Sequence, residues 1–153
     1  METRDLVDAL CKKHGTRDPF EIARQRNIIV IDEPLGGIYG FYSQSHRQKF
    51  IHINQSLNEQ VQHFICCHEL GHAIMHPDLN TPFLRAATLF SVDKLEFQAN
   101  CFAVDLAFDD SQLWPFLSRP ITAAAAYMGV NIRLAEYRMR SVQPRLWDDF
   151  SGA

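Results

Sequence analysis

The sequence predicts an α+β fold, with a small antiparallel three-stranded sheet packed on a central helix and a helical C-terminal half. Three observations predict it. Apolar residues recur at helical spacing near the N-terminus, three short runs rich in Ile, Phe and Tyr follow, and helical spacing returns after residue 56. Because the strands are grouped and not separated by helices, we do not expect repeated βαβ units.

The composition is that of an ordinary globular protein. The chain has 153 residues, 46% hydrophobic and 22% charged, which suffices for one domain whose core needs no disulfides. The formal net charge of -3 gives no general attraction to nucleic acid or to an acidic membrane. The N-terminus "METRDLVDAL" lacks the apolar stretch of a secretory signal, and no apolar run approaches the roughly 20 residues that cross a bilayer. We therefore expect a cytoplasmic protein with reduced cysteines.

Two helices and three strands form the predicted first part. Helical spacing predicts a helix over residues 3–14 that ends at Gly15. Asp18 followed by Pro19 is typical of an N-cap and first turn, and predicts a second helix to about Asn27. The predicted strands are residues 28–32, 37–42 and 49–54, joined as an antiparallel meander.

A long helix is predicted next. Ser56 and Glu59 have the spacing of a capping box, and Pro77 ends the helix just after His76. The elements predicted after it are a loop over residues 77–91, a helix over 92–108 capped by Ser91, a short helix capped by Asp109 or Asp110, and helices over 122–128 and 131–140 on either side of Gly129.

The stretch "HELGH", residues 68–72, has the spacing of a metal site on a helix. His68 and His72 lie four residues apart and therefore share one helix face, where both imidazoles can reach one zinc ion. Glu69 lies beside the first histidine, where it can take a proton from a water molecule. Unpaired polar groups in an apolar run are costly, so the pattern favours metal binding over coincidence.

A catalytic zinc requires a third protein ligand, and Glu96 is the best candidate. It follows the HELGH stretch at a distance that allows a loop and a returning helix. Asp93 and Asp105 are weaker candidates. Asn100 lies one helical turn after Glu96, where its side-chain oxygen can accept a hydrogen bond from a ligand histidine.

Other histidines and tyrosines have less defined roles. His76 lies about 12 Å along the helix from His68, so we expect it at the helix end or the rim of a cleft and not on the same ion. Tyr39, Tyr42 and His52 lie on predicted strands, and any of them could stabilise an oxyanion. The sequence does not choose among them.

These residues resemble those of the ImmA/IrrE metallopeptidases. "HELGHAIMH" followed by "LEFQANCFAVDL" is similar to the family's H-E-x-x-H and its later E-x-x-A-N-x-F-A motif, and the resemblance covers most of residues 10–108. It implies a zincin-like (gluzincin-type) fold with Glu96 as the third ligand. Gln98 stands where many members have a second glutamate. We expect a metallopeptidase core over residues 1–108 and a helical extension over 109–153 packed on it, in one domain overall.

The leading hypothesis is a zinc-dependent endopeptidase. His68, His72 and Glu96 would hold the ion, and Glu69 would act first as general base and then as general acid. The resemblance implies a protein substrate, in particular a helix-turn-helix transcriptional repressor of a mobile element. Mn²⁺ or Fe²⁺ also suits two histidines and one carboxylate. The first alternative is a metal-binding regulator that sequesters a repressor without cutting it.

The second alternative is a DNA-binding protein that uses residues 121–140. Residues 119–145 contain five arginines and one acidic residue, which could contact a phosphate backbone. Their alanine-rich pattern equally fits an ordinary helical hairpin that packs on the core, and we favour that interpretation. The family resemblance implies that this region holds a partner repressor. Trp147 and Phe150, in the tail, are either a docking segment or a loose end.

Overall fold

The computed structural model describes residues 3–79 and 89–144, and the side chains of residues 3–79 and 94–144. The chain divides into two compact units, Met1–Ala107 and Phe108–Ala153. The predicted α+β class is confirmed, whereas the packing of the extension on the core stays a prediction. In the described part of the chain, no helix is both long and apolar enough to cross a membrane.

Two helices begin the first unit, as predicted. α1 spans Thr3–His14 and α2 spans Pro19–Gln25. The carboxylate of Asp18 accepts a hydrogen bond from the backbone N–H of Phe20 at 3.0 Å and so caps α2. α2 ends before Asn27, whose φ of 58° lies outside the right-handed helical region.

The sheet is mixed, so the predicted antiparallel meander is wrong. The strands are β1 (Ile29–Glu33), β2 (Gly40–Ser45) and β3 (Gln48–Asn54). Within the described residues they lie in the order β1–β3–β2, and β3 pairs antiparallel with β2 but parallel with β1. The chain therefore crosses the end of β3 on its way from β1 to β2. Asn54 stabilises that crossing by donating from Nδ2 to the carbonyl oxygens of Gly36 and Ile38, both at 2.9 Å.

A tight turn joins β2 to β3. Ser45 pairs with Gln48, and the two residues between them, His46 and Arg47, have φ values of 51° and 67°. Two successive residues with positive φ are typical of a type I′ turn, whose twist matches that of a hairpin. The strand predicted over residues 37–42 corresponds to β2, which begins at Gly40 and not at residue 37.

α3 spans Glu59–Met75 and carries the HELGH stretch. The predicted capping box is wrong, because Asn58 caps α3 by accepting a hydrogen bond from the N–H of Val61 at 2.9 Å. α4 spans Leu89–Ala107. Ser91 lies inside α4, so it is not the N-cap that the sequence predicted.

The core of the first unit lies between the sheet, α3 and α4. Tyr42, Ile51 and Phe102 are fully buried there. Cys66 and Cys67 belong to the same core, and burial, with smaller contributions from nearby charges, raises the pKa of both thiols. Both are free thiols, which agrees with the predicted reduced state, and they act as small apolar side chains.

The second unit consists of short helices. They are α5 (Asp110–Leu113), a 3₁₀ turn (Trp114–Phe116), α6 (Ile121–Met128) and α7 (Ile132–Arg140). Asp109 caps α5 in a reciprocal pair with Gln112, as the sequence predicted. Gly129 ends α6 at a φ of 70°, and Asn131 caps α7, so the predicted pair of helices is confirmed.

One arginine of this unit is buried and takes no part in a positive surface. The Nη2 of Arg138 donates to the carbonyl oxygen of Phe108 at 2.8 Å and to Oδ1 of Asp110 at 2.9 Å. A neutralised, buried guanidinium cannot contact a phosphate backbone, so the arginine count overstates the charge that could meet DNA. Arg145, Trp147 and Phe150 lie outside the described residues.

Candidate metal centre

The HELGH stretch lies where α3 packs closely on α4. Gly71 makes this contact possible, because a Cβ at that position would lie 3.0 Å from Cδ1 of Phe102. Phe102 is fully buried and has little room to move. The missing side chain therefore lets α4 approach, and Glu96 comes to lie opposite the two histidines of α3.

His68, His72 and Glu96 converge on one point. The Nε2 of His68 lies 3.2 Å from Oε2 of Glu96, and the Nε2 of His72 lies 2.8 Å from Oε1 of the same carboxylate. The three ligand atoms, one from each residue, all lie within 4.8 Å of one another. Both imidazoles are buried, whereas the Glu96 side chain is 26% exposed. Three residues singled out from the sequence are thus brought together from two helices.

Asn100 contacts the first histidine of the pair. Its Oδ1 lies 2.8 Å from Nδ1 of His68. An amide oxygen only accepts hydrogen bonds, so this contact places the imidazole proton on Nδ1. The lone pair of a neutral His68 is then on Nε2 and points towards Glu96.

The second histidine has a longer chain of contacts, which the sequence analysis missed. The Nδ1 of His72 lies 3.0 Å from Nδ1 of His76, and the Nε2 of His76 lies 2.8 Å from Oε1 of Gln98. His76 is buried and follows the last turn of α3. The signal was its spacing of four residues after His72, which places it on the same face of the helix. Gln98 could not be found without the packing of α4 on α3.

Glu69 lies beside this group. It is only 1% exposed, and its Oε1 is 3.9 Å from Nε2 of His68. The carboxylate is therefore close to the three converging atoms without being one of them. A proton acceptor beside an ion held at that point would need such a position.

The charges in the cluster are strongly coupled. Burial alone would raise the pKa of Glu96, but the hydrogen bonds that His68 and His72 donate from Nε2 when their imidazoles are doubly protonated outweigh it and hold that pKa well below its usual value. Burial also lowers the pKa of His72. In His68 the hydrogen bond to Glu96 and the charges of Glu69 and Glu96 outweigh burial, so its pKa is raised. The carboxylate therefore stays ionised, and the imidazoles differ in proton affinity.

The donor set fits a divalent cation. Each imidazole meets a polar partner at Nδ1, so a neutral ring that carries its proton there turns its Nε2 lone pair towards the Glu96 carboxylate. Lone pairs and a carboxylate repel one another at such distances unless a proton or a cation lies between them. Two imidazole nitrogens and one carboxylate oxygen suit zinc, and also iron(II) or manganese.

The weaker ligand candidates do not join the group. The Oδ2 of Asp105 accepts a hydrogen bond from the hydroxyl of Thr3 at 2.8 Å, and Asp105 is absent from the group of converging ligands within the described residues. The side chain of Asp93 lies outside the described residues.

The oxyanion candidates are placed differently from one another. Tyr42 donates its hydroxyl to the carbonyl oxygen of Pro77 at 2.7 Å, so that hydroxyl anchors the segment after α3. The Nδ1 of His52 lies 2.6 Å from Oε1 of Glu33 on the neighbouring strand. Tyr39 is 61% exposed.

Comparison with known proteins places the chain in a family. Residues 23–140 match the peptidase M78 family, described as the IrrE N-terminal-like domain. The chain is 32% identical over 142 residues to the Metallopeptidase ImmA of Bacillus subtilis (strain 168), which covers 89% of this chain and 83% of that protein. It is 50% identical over 105 residues to the Uncharacterized immunity region protein 2 of Bacillus phage phi105, which covers 68% of this chain and 66% of the phage protein.

The family match contains α3 and α4 entire, and with them every residue of the converging group. It also extends through α6 and α7, beyond the range of the sequence motifs. The match covers more than half of the chain and agrees with the relationship to Metallopeptidase ImmA. The chain therefore belongs to the peptidase M78 family, the ImmA/IrrE family that its two motifs predicted.

Proposed function

We propose that this protein is a zinc-dependent endopeptidase that hydrolyses peptide bonds in one regulatory protein. The observation that carries the proposal is the convergence of His68, His72 and Glu96 within 4.8 Å, with the buried Glu69 beside them. Family membership supports the same activity. Manganese or iron(II) would fit these ligands as well, so the metal content of the purified protein has to be measured.

The proposed chemistry divides between the ion and Glu69. His68, His72 and Glu96 would hold the ion, which when bound supplies Lewis-acid polarisation of the scissile carbonyl and eases the ionisation of water. Glu69 accepts a proton from the attacking water and then donates it to the leaving amine. Because Glu69 is buried, little bulk water competes for this proton.

We further propose that the substrate lies extended along β2, in a zincin-like (gluzincin-type) arrangement. Among the strands of the described residues, β2 lies at the edge of the sheet, so one side of its backbone does not pair with β3. It also lies against the motif helix: a Cβ at Gly40 would be 2.7 Å from Cγ2 of Ile65 on α3. A peptide added to this edge would form main-chain hydrogen bonds next to the metal ligands.

The proposed substrate is a helix-turn-helix transcriptional repressor. The relative from phage phi105 is named for an immunity region, which supports a regulatory substrate. We assign catalysis to residues 1–108 and propose that residues 109–153 pack on this core and help to hold the partner. A cytoplasmic location agrees with such a substrate.

Co-expression with candidate helix-turn-helix repressors tests this function. Wild type should produce repressor fragments, which mass spectrometry identifies together with the bond that is cut. Glu69→Gln should bind the metal as wild type does but cleave about 10²- to 10⁴-fold more slowly, because it lacks the general base. Metal analysis of both purified proteins is the control.

The same variant separates the alternatives. A metal-binding regulator that sequesters the repressor without cutting it predicts that Glu69→Gln still relieves repression in a reporter strain. A DNA-binding protein that uses residues 121–140 predicts duplex affinity that falls steeply with salt. Intact repressor in the presence of wild type and bound metal would contradict the protease proposal.

A further inference from the structure

We propose that His76 and Gln98 are positioning residues that keep the lone pair of His72 on Nε2, the nitrogen that faces the metal site. This inference rests on the proposed metal site, and it adds two residues that neither motif specifies. They act through His72 and do not touch the ion. The contacts form one line of side chains, from Gln98 on α4 through His76 to His72 on α3.

The line starts at an amide oxygen. The Oε1 of Gln98 lies 2.8 Å from Nε2 of His76 and can only accept, so the Nε2 of His76 carries the proton. A neutral His76 then has its lone pair on Nδ1. That atom lies 3.0 Å from Nδ1 of His72, which therefore donates. The lone pair of His72 is left on Nε2, the nitrogen 2.8 Å from Glu96.

Because both rings are buried, the hydrogen-bond partner of His72 is hard to replace. His72 is 1% exposed and His76 is 9% exposed, so bulk water cannot readily replace a lost partner between the two rings. His68 obtains the same orientation directly from Asn100, whereas the acceptor for His72 is itself an imidazole whose proton must be placed by a further residue. Gln98 supplies that second step.

The chain after α3 holds His76 in place. Its backbone N–H donates to the carbonyl oxygen of His72 at 2.8 Å, and Pro77 follows. The carbonyl oxygen of Pro77 accepts a hydrogen bond from the hydroxyl of Tyr42 at 2.7 Å, which links the segment after α3 to β2. The His76 ring therefore remains one turn beyond His72, with their ring centroids 5.2 Å apart.

Zinc affinity of the full chain tests the proposal. Metal-stripped protein is titrated with zinc against a chromophoric chelator. His76→Phe keeps a ring but removes the acceptor, and we expect zinc to bind about 10- to 100-fold more weakly, the usual effect of losing a partner of a ligand histidine. His76→Asn returns an acceptor near the position of Nδ1 and should recover much of the affinity.

A matched control comes from the same helix. His63 lies on α3, is half-buried and packs near Phe20, with ring centroids 6.5 Å apart. His63→Phe makes the same chemical change away from the line of contacts and should leave zinc affinity within about twofold of wild type. Gln98→Leu should weaken binding severalfold, and Gln98→Glu, which can only accept when ionised, should not. If His76→Phe does not fold, the two Gln98 variants carry the test.

Nitrogen-15 NMR of the histidine rings gives a readout that a purely structural role would not move. In zinc-loaded wild type, His76 should carry its proton on Nε2 and none on Nδ1. In Gln98→Leu this preference should be lost, even where the fold is unchanged. A proton on Nδ1 of His76 in the wild-type protein would overturn the proposal.

The outcomes separate this proposal from the one on which it rests. If wild type does not bind zinc, or binds it equally well after His72→Ala, the proposed metal site is wrong. If wild type binds zinc and loses it in His72→Ala, but His76→Phe and Gln98→Leu both bind as tightly as wild type, only the positioning role is wrong.

Discussion

At the scale of single residues, the polar side chains between α3 and α4 depend on one another for their protonation. Glu96 stays ionised because both histidines face its oxygens. His68 and His72 face it with Nε2 because their Nδ1 atoms meet other partners. No one of these groups would have the same properties alone, so changes at one position should alter the titration of the others.

The depressed pKa of Glu96 predicts an acid-dependent loss of stability in metal-free protein. The folded pKa lies below the ordinary value of 4.5. Ionised Glu96 therefore adds stability above about pH 4.5, and this contribution is lost as the pH falls from there through the folded pKa. We expect metal-free wild type to exceed Glu96→Gln in free energy of unfolding at pH 7, and the difference to shrink towards pH 3.

Urea titrations of both proteins at a series of pH values measure this difference. A chelator must be present throughout, because bound metal would add its own pH dependence. A difference that stays constant from pH 7 to pH 3 would contradict the assigned role of Glu96 as the partner of the two histidines.

At the scale of elements, the contact of α3 with α4 determines whether the ligands meet. Gly71 faces Phe102 at this contact. Alanine would favour the helix by about 1 kcal/mol, but overpacking a full core costs about 1–3 kcal/mol. Since Phe102 is fully buried, we expect Gly71→Ala to lower both the free energy of unfolding and the zinc affinity, because α4 has to move away.

A double-mutant cycle checks this prediction. Phe102→Leu makes room beside residue 71, so in that background Gly71→Ala should be neutral or stabilising. Denaturant unfolding and zinc titration of the four proteins give the coupling. Equal effects of Gly71→Ala in both backgrounds would mean that the Phe102 contact does not limit the approach of the helices.

Prediction from sequence succeeded where the signal is local. The caps Asp18 and Asp109 and the turn at Gly129 act on neighbouring backbone, and the structure has them as predicted. The HELGH spacing likewise needs only one helix. The predicted order of the strands was wrong, because alternating apolar residues show which side of a strand is buried but not which strand lies beside it.

The site shows the same limit. The convergence of Glu96 with two residues of α3 requires contact between distant segments. Spacing made Glu96 the best candidate, and the resemblance to the family motif strengthened that prediction. His76 was excluded as a ligand by its position along the helix, and that exclusion did not reveal its contact with His72. Gln98 was noted only as a departure from the family pattern, although it lies 2.8 Å from His76.

At the scale of the whole molecule, the candidate ligands all belong to the unit Met1–Ala107. The three residues come from helices that are separated along the chain, so the ion would cross-link α3 to α4. An unfolded chain would not present the same set of ligands. Bound metal should therefore stabilise this unit against unfolding.

Zinc should raise the melting temperature. At a free zinc concentration 1,000-fold above the dissociation constant, the folded state gains about 4 kcal/mol. Calorimetric scans with zinc and with a chelator measure the shift. His72→Ala is the control, because it removes one ligand and should melt at the same temperature in both conditions. A zinc-dependent shift of equal size in this variant would indicate that the ion binds elsewhere.

The glycine between the two histidines also limits how the motif can be engineered. Copying the five residues of HELGH onto a helix of another scaffold would transfer two imidazoles and a carboxylate, but the groove at Gly71 would be left without a Phe102 to fill it. A successful graft therefore has to include both helices and their mutual contact. The smallest transferable part of this protein is a pair of packed helices.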